Sequence, residues 1–166
     1  MIRAIVHADK EWGIGKNNDM MFSLPKDMKF FRETTLGNTV VMGGNTLRSF
    51  PNGKPLKNRV NIVLSRGMVR DDCVIVRSYE ELKKEMKSRQ GEEIFVIGGG
   101  EVYRELLPYC HEVLVTKVDA VGGATVFFPD LDENPDFICV YESEPIEDNG
   151  HSIRFTTYRI LNVIEL

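Results

Sequence analysis

The stretch "MMFSLPKDMKFFRETT", residues 20–35, aims a carboxylate where a helix would bury its aromatic rings. Ser23 and Pro25 are start signals, since proline is tolerated in a first helical turn. At about 100° per residue, Leu24, Met28, Phe30 and Phe31 gather on one side, and Lys26, Lys29, Arg32 and Glu33 on the other. Asp27 projects into the apolar side. An acid in a first turn complements the helix dipole, but such acids usually point to solvent. A buried carboxylate needs a hydrogen-bonding partner, and no base shares its side of the helix. The expected partner is a ligand with N–H donors or a polar group of another strand.

Two strand-to-helix junctions are rich in glycine. "VVMGGNTLRSF" places Gly43 and Gly44 before Asn45 and Thr46, and "IFVIGGGEVYREL" places Gly98, Gly99 and Gly100 before Glu101 and Val102. Open N–H groups at a helix start attract anions, and the missing Cβ lets backbone approach a phosphate. Neither junction fits G-x-G-x-x-G or a P-loop. One such junction reads as a plain strand ending. Two in an alternating sheet favour a dinucleotide lying across the strand ends. Arg66 closes another strand, in "VLSRG", where it could pair with a phosphate. Lys54 and Arg59 frame the basic loop "KPLKNR". Arg59 could hold a carboxylate in bidentate fashion, whereas Lys54 and Lys57 read better as surface charge. Residues 9–25, "DKEWGIGKNNDMMFSLP", form a long connection of the kind that serves as a lid or a binding loop. Trp12 within it is either an anchor or a residue of no readable role.

The elements that must position these groups follow from periodicity. Strand-like runs occupy 2–8, 38–43, 59–65, 73–78, 93–98, 112–120, 137–145 and 151–161, and helical patterns 25–35, 45–50, 79–90 and 101–107. Alternation of the two argues for a mainly parallel α/β sheet. Asn149-Gly150 is a hairpin signal, so the sheet should end in an antiparallel hairpin. The 166 residues suit one domain. A net charge of -4 and a pI near 5.5 argue against general nucleic-acid binding. Cys73, Cys110 and Cys139 are odd in number and lack CxxC spacing, as expected for reduced cytoplasmic thiols. His7, His111 and His151 lack metal-ligand spacing. The N-terminus has no apolar signal-peptide region, and no apolar run is long enough to span a membrane.

Taken together, "GIGKNNDMMFSLPKDMKFFRETT", "NTVVMGGNT", "NRVNIVLSR", "IFVIGGGEVYRELLP" and "VTKVDA…FFPD" resemble the dihydrofolate reductase family, bacterial type, over nearly the whole chain. The resemblance implies an eight-stranded, mostly parallel sheet with a C-terminal antiparallel hairpin and four flanking helices, residues 1–166 forming a single domain. It implies reduction of dihydrofolate to tetrahydrofolate with NADPH, in one-carbon metabolism, by a cytoplasmic monomer that antifolate inhibitors would target. Asp27 matches the acid that holds the pteridine through a ring nitrogen and the 2-amino group, and Thr116 the strand threonine beside it. The Ile5 and Ile97 carbonyls line the pteridine pocket. Val6, Met28, Phe31, Phe50 and Leu56 complete the substrate site, and Arg59 matches the arginine on the glutamate α-carboxylate. Cofactor contacts map onto Val6, His7, Ile14, Gly15, Asn18, Met20, Gly43, Gly44, Asn45, Thr46, Leu64, Ser65, Arg66, Ile97, Gly98, Gly99, Gly100, Glu101, Val102 and Tyr103. Gly98-Gly99 matches the family's cis peptide.

The departures are specific. Phe22, a candidate catalytic position, stands where many bacterial members carry Trp, so a water held by that indole would be held differently. Gly44 replaces a residue that is often basic, which shifts recognition of the 2′-phosphate to Arg66, Asn45 and Thr46. Thr125-Val126 replaces an Asp-Thr pair whose acid tethers the lid, so lid closure should rest on other contacts. At His7 the backbone is expected to matter more than the ring. Two rival readings remain: a pyrimidine reductase of riboflavin synthesis, and a non-catalytic dinucleotide-binding module. Asp27 with Arg59 argues against the first, and the second has no need of Asp27.

Overall fold

The β-branched runs become the centre of one sheet. A computed structural model describes residues 1–17 and 19–166. In chain order the elements are β1 (Ile2–Ala8), β2 (Gly13–Gly15), α1 (Pro25–Thr35), β3 (Thr39–Gly43), α2 (Gly44–Ser49), β4 (Val60–Leu64) and β5 (Val74–Val76). There follow α3 (Tyr79–Lys87), β6 (Ile94–Gly98), α4 (Gly100–Leu106), β7 (Glu112–Val118), β8 (Val126–Phe127), β9 (Phe137–Glu142), β10 (Ile146–Asp148) and β11 (His151–Ile160). The main sheet runs β10-β11-β7-β1-β6-β3-β4-β5, with β9 also on β11. From β7 to β5 every pairing is parallel; β11 is antiparallel to β7, β9 and β10. The eight expected strands are present, and the three-residue β10 adds a ninth.

Burial on both faces explains the continuous apolar runs of a parallel sheet. Val40, Val41 and Met42 are fully buried, as are Ile62 and Val63. Alternate residues serve two cores. Val41, Ile62 and Val96 face Leu82, Met86, Val102 and Leu106 of α3 and α4. Ile5, Val40, Met42, Val63 and Phe95 face Leu47 of α2, with Phe30 and Phe31 of α1 against them.

The Asn149-Gly150 turn joins β10 to β11 as the sequence predicts. Asp148 pairs with His151, and both turn residues have positive φ, 50° and 85°, as a two-residue type I′ connection requires. This hairpin also sets α1. Ser23 makes no cap; the cap position is Leu24, with no side-chain hydrogen bond. The backbone N–H groups of Lys26 and Asp27 instead donate to Asp148 Oδ1 and Oδ2, each at 3.1 Å. Asn149 Nδ2 donates to Ser23 O at 2.8 Å. Pro25 does occupy the first turn.

The connection after β1 is pinned by a ladder too short to read from periodicity. Strands β2 and β8 pair with each other. Thr125 N–H donates to Gly15 O at 2.9 Å, and Thr125 Oγ1 accepts from Asn17 N–H at 3.2 Å. Thr125 therefore tethers this connection with backbone and hydroxyl, at the position where the resemblance leads one to expect an Asp-Thr pair. A second anchor is the buried Asp9, which accepts from Glu11 and Gly13 N–H through Oδ1 and from Gly122 N–H through Oδ2. Trp12 is buried against Phe128 and Tyr158, which settles it as an anchor.

Candidate active site

Parallel pairing brings the C-terminal ends of β6, β3 and β4 side by side, with Met42 opposite Gly98 and Gly43 opposite Leu64. A cavity of about 600 Å³ lies there. It is lined by Gly43, Gly44, Asn45, Thr46, Leu64, Ser65, Arg66, Gly99, Gly100, Glu101 and Val102, eleven of the predicted cofactor residues. The residues fit a dinucleotide. A Cβ on Gly43 would come within 3.4 Å of Val102 Cγ2, and one on Gly44 within 3.4 Å of Ser65 Cβ. Neither α2 nor α4 has a side-chain cap, so their first N–H groups are left for another acceptor. The Gly98-Gly99 peptide is cis. Gly98 has φ +126°, a conformation that a side chain would strain.

Arg77, Ser78 and Tyr79 also line this cavity. Arg77 closes β5 much as Arg66 follows β4, and that repeated strand-end base was the available signal. Its Nη1 donates to the carbonyls of Ser65 and Met68 at 2.9 and 2.6 Å, so it braces the Arg66 loop. Asn45 is partly engaged, its Oδ1 accepting from Arg48 Nη1 at 2.8 Å. The Tyr79 hydroxyl is pushed up to about 12 by burial and then by Glu101 and Glu105, so it stays a neutral donor at the cavity wall.

Asp27 lies across the sheet end from this cleft. Its side chain is only 13 % exposed. The partner from another strand is Thr116 on β7, whose Oγ1 donates to Asp27 Oδ1 at 2.7 Å. A further neighbour was not anticipated: His7 Nδ1 lies 3.3 Å from Asp27 Oδ2. The ring of His7, ranked behind its backbone on the sequence, thus has a contact of its own. Residues on one face of β1 point alike, so a ring at position 7 reaches the helix that Ile5 also faces. Phe22 packs its ring 6.2 Å from that imidazole and 4.9 Å from His151.

Ile5, Phe31, Phe50, Leu56 and Ile97 come together in one apolar cluster, with Phe30 also against it. Phe30 turns its ring onto Phe155 at 4.6 Å, whereas Phe31 lies under the Arg59 guanidinium at 6.0 Å. Met28 is 54 % exposed and outside the buried clusters. Arg59 has no carboxylate partner among the described residues. Its Nη atoms reach the carbonyls of Lys57 and Arg32, and its buried Nε has no partner among the described residues. Burial, then the neighbouring Arg32, hold this guanidinium below its usual range. A cation held this way suits an incoming anion.

Tyr103 links the two regions. Its hydroxyl donates to Ile5 O at 2.7 Å, and its ring would lie 3.5 Å from a Cβ on Gly98. Burial, with Asp27 as the next cause, drives the phenol well above its ordinary range, so it remains protonated. Val6 and Ile14 pack partly buried against the core. Gly15 sits in the tethered strand β2, and Met20 is 52 % exposed. Asn18 lies outside the described residues.

A parallel-sheet cleft whose lining suits a dinucleotide, in one chain with a largely buried carboxylate, fits the class of nicotinamide-dependent oxidoreductases. The comparisons with known proteins narrow that class. The family model described as dihydrofolate reductase matches residues 1–160. The dihydrofolate reductase of Bacillus subtilis (strain 168) is 34 % identical, over 98 % of this chain and 96 % of that one. The bifunctional dihydrofolate reductase-thymidylate synthase of Daucus carota is also 34 % identical, over 98 % of this chain but 34 % of its own length. The chain thus spans about a third of such bifunctional relatives. Among solved structures, dihydrofolate reductase from Enterococcus faecalis, complexed with NADP(H) and RAB-propyl, superposes with a TM-score of 0.86 at 28 % identity. That match covers 98 % of this chain and 97 % of that one. The chain belongs to the dihydrofolate reductase family.

Proposed function

We propose that this chain reduces 7,8-dihydrofolate to tetrahydrofolate with NADPH, through the residues assembled at Asp27. The observation that carries the reading is the Asp27 carboxylate, largely buried on α1 and hydrogen-bonded by Thr116, beside the apolar Phe31, Phe50, Leu56 and Ile97 cluster. When bound, NADPH supplies the hydride that C6 of the pteridine accepts. Asp27 accepts the ring N–H and 2-amino donors and so fixes the pteridine plane. Its negative charge favours protonation at N5, which water delivers, since no ionisable side chain is assigned to N5. Arg59 pairs with the glutamate carboxylate. Phe31, Phe50 and Leu56 wall the rings between. Gly43, Gly44 and Gly98–Val102 hold the dinucleotide, with Arg66, Asn45 and Thr46 on its 2′-phosphate. The lid, from residue 9 to 24, closes over the nicotinamide end, excludes bulk water and orients the rings.

Residues 1–166 act as one domain and as a cytoplasmic monomer. β1 and β11 belong to the same sheet, and the three cysteines are free. Antifolates that present an amidine edge to Asp27 bind in the same place. The test is loss of NADPH absorbance with dihydrofolate, read beside light scattering, which should give 18.9 kDa. Folded protein that binds NADPH but never turns over dihydrofolate would return the non-catalytic module to favour. Turnover of a ribose-phosphate pyrimidine instead would favour the riboflavin-type reductase.

A further inference from the structure

The Asp27 carboxylate has one neighbour at each oxygen, and the two differ in what they can still do. Thr116 Oγ1 donates to Oδ1 at 2.7 Å. Its only hydrogen is then committed, and lone pairs alone remain. His7 Nδ1 meets Oδ2 at 3.3 Å, and the ring's other nitrogen, Nε2, is buried without a partner among the described residues. The imidazole side chain is only 8 % exposed. Orphaned buried polar atoms are rare and costly. Phe22, the aromatic neighbour at 6.2 Å, offers no donor or acceptor that could satisfy it.

A dihydropterin presents a matching edge. Its ring N3–H and 2-amino group donate to a carboxylate, and its 4-oxo group, adjacent to N3, accepts. The second N–H of the 2-amino group suits a neighbour that has lone pairs only, which is Thr116. The 4-oxo group needs a donor, and of the two neighbours only His7 can supply one. It does so with both ring nitrogens protonated, Nδ1–H on Asp27 and Nε2–H on the oxo group.

Resting on the reading of the site as a pterin pocket, we propose that His7 is a substrate-recognising residue: it orients Asp27 and donates from Nε2 to the 4-oxo group of the bound pterin. The contact needs both ring nitrogens protonated, so affinity for a 4-oxo pterin falls as pH rises. The other titratable groups around the imidazole are few. Asp27 comes from α1, with Asp148 behind it at the helix start. Tyr103 comes from α4 and keeps its proton on Ile5 O. His151 comes from β11, beyond the Phe22 ring.

The experiment is direct binding, without turnover, to wild type, His7→Phe and His7→Asn. Two ligands share one benzoylglutamate tail: folate, which has the 4-oxo group, and its 2,4-diamino analogue, which lacks it. Titrations run at about pH 6 and about pH 8. In wild type, folate should bind more weakly at the higher pH, and nitrogen-15 shifts of the His7 ring should move toward the imidazolium pattern when folate binds. His7→Phe should weaken folate by about tenfold at the lower pH, weaken the diamino analogue less, and abolish the His7-dependent pH response. His7→Asn, which keeps a non-titrating N–H, should recover part of the folate affinity without the pH response. Equal weakening of both ligands in His7→Phe would reduce His7 to a support for Asp27 and overturn the oxo contact. So would an unchanged folate affinity in both variants, or a His7 ring whose shifts ignore folate. Wild-type protein that binds neither ligand would instead sink the pterin reading itself.

Discussion

At the cleft between β3, β4 and β6, the chain presents mostly backbone: Gly43, Gly44 and Gly98 to Gly100 turn strand into helix and leave N–H groups open. Around Asp27 the reverse holds. Thr116, His7, Phe31 and Arg59 converge as side chains from β7, β1, α1 and the loop before β4. A phosphate chain is recognised by many weak donors at fixed spacing, which backbone provides cheaply in side-chain volume. A pteridine carries a specific donor pattern and a flat apolar body, which calls for one charge, correctly oriented, and rings beside it. The two regions should therefore respond differently to substitution.

The sharpest separation should come from Asp27→Asn. We expect turnover at neutral pH to fall by about 10²-fold or more, the scale of a lost acid–base or charge contribution, with NADPH affinity unchanged in a fluorescence titration. A parallel fall in NADPH affinity would break the division between the regions. Gly98→Ala attacks the other side. At φ +126°, with Thr46 Oγ1 3.4 Å from the new Cβ, strain of about 1–3 kcal/mol should weaken NADPH by about 5- to 150-fold. Folate binding without cofactor should change little in comparison.

Smaller effects sharpen each half. Arg59→Ala should raise KM for dihydrofolate by about 10- to 150-fold, as for a lost charge-assisted hydrogen bond of about 1.5–3 kcal/mol. A substrate lacking the glutamate should not notice the change. Arg66→Ala, at an exposed residue, should weaken NADPH a few-fold and leave NADH alone; equal effects on both would remove the 2′-phosphate contact. Smallest is Asp148→Ala, which removes the cap on α1. Loss of about 1 kcal/mol should lower Tm by about 2–4 °C, seen by calorimetry.

The same contrast explains what could be read before the structure. Glycine at a strand end, and a carboxylate on an apolar helix side, are local irregularities; the first lines the cleft, and the second is largely buried against Thr116. The eight expected strands and four helices were legible because apolar runs are local as well, even where, as at β5, only three residues of the run pair in the sheet. What stayed hidden depends on residues far apart in the chain. Asp148 caps α1 through the N–H of Lys26, 122 residues earlier, and Ser23, the nearer candidate, does not cap it. Asp9 reaches Gly122 across 113 residues. His7 looked like a strand residue because nothing in "IRAIVHA" shows that its ring meets α1. Strands β2 and β8, three and two residues long, are too short for any period to appear. Met28 shows the limit of the helical wheel: it lies on the apolar side by angle, yet it is 54 % exposed.

The central claim is that Asp27 holds the pteridine and favours its protonation while water supplies the proton. The most direct test is the ratio of Asp27→Asn to wild-type turnover of dihydrofolate, measured from acid to neutral pH with saturating NADPH. The account predicts a ratio that is very low at neutral pH and climbs as pH falls, because the substrate then takes its proton more readily without the carboxylate. Full activity of the variant at neutral pH, or a ratio that stays flat across the range, would contradict it.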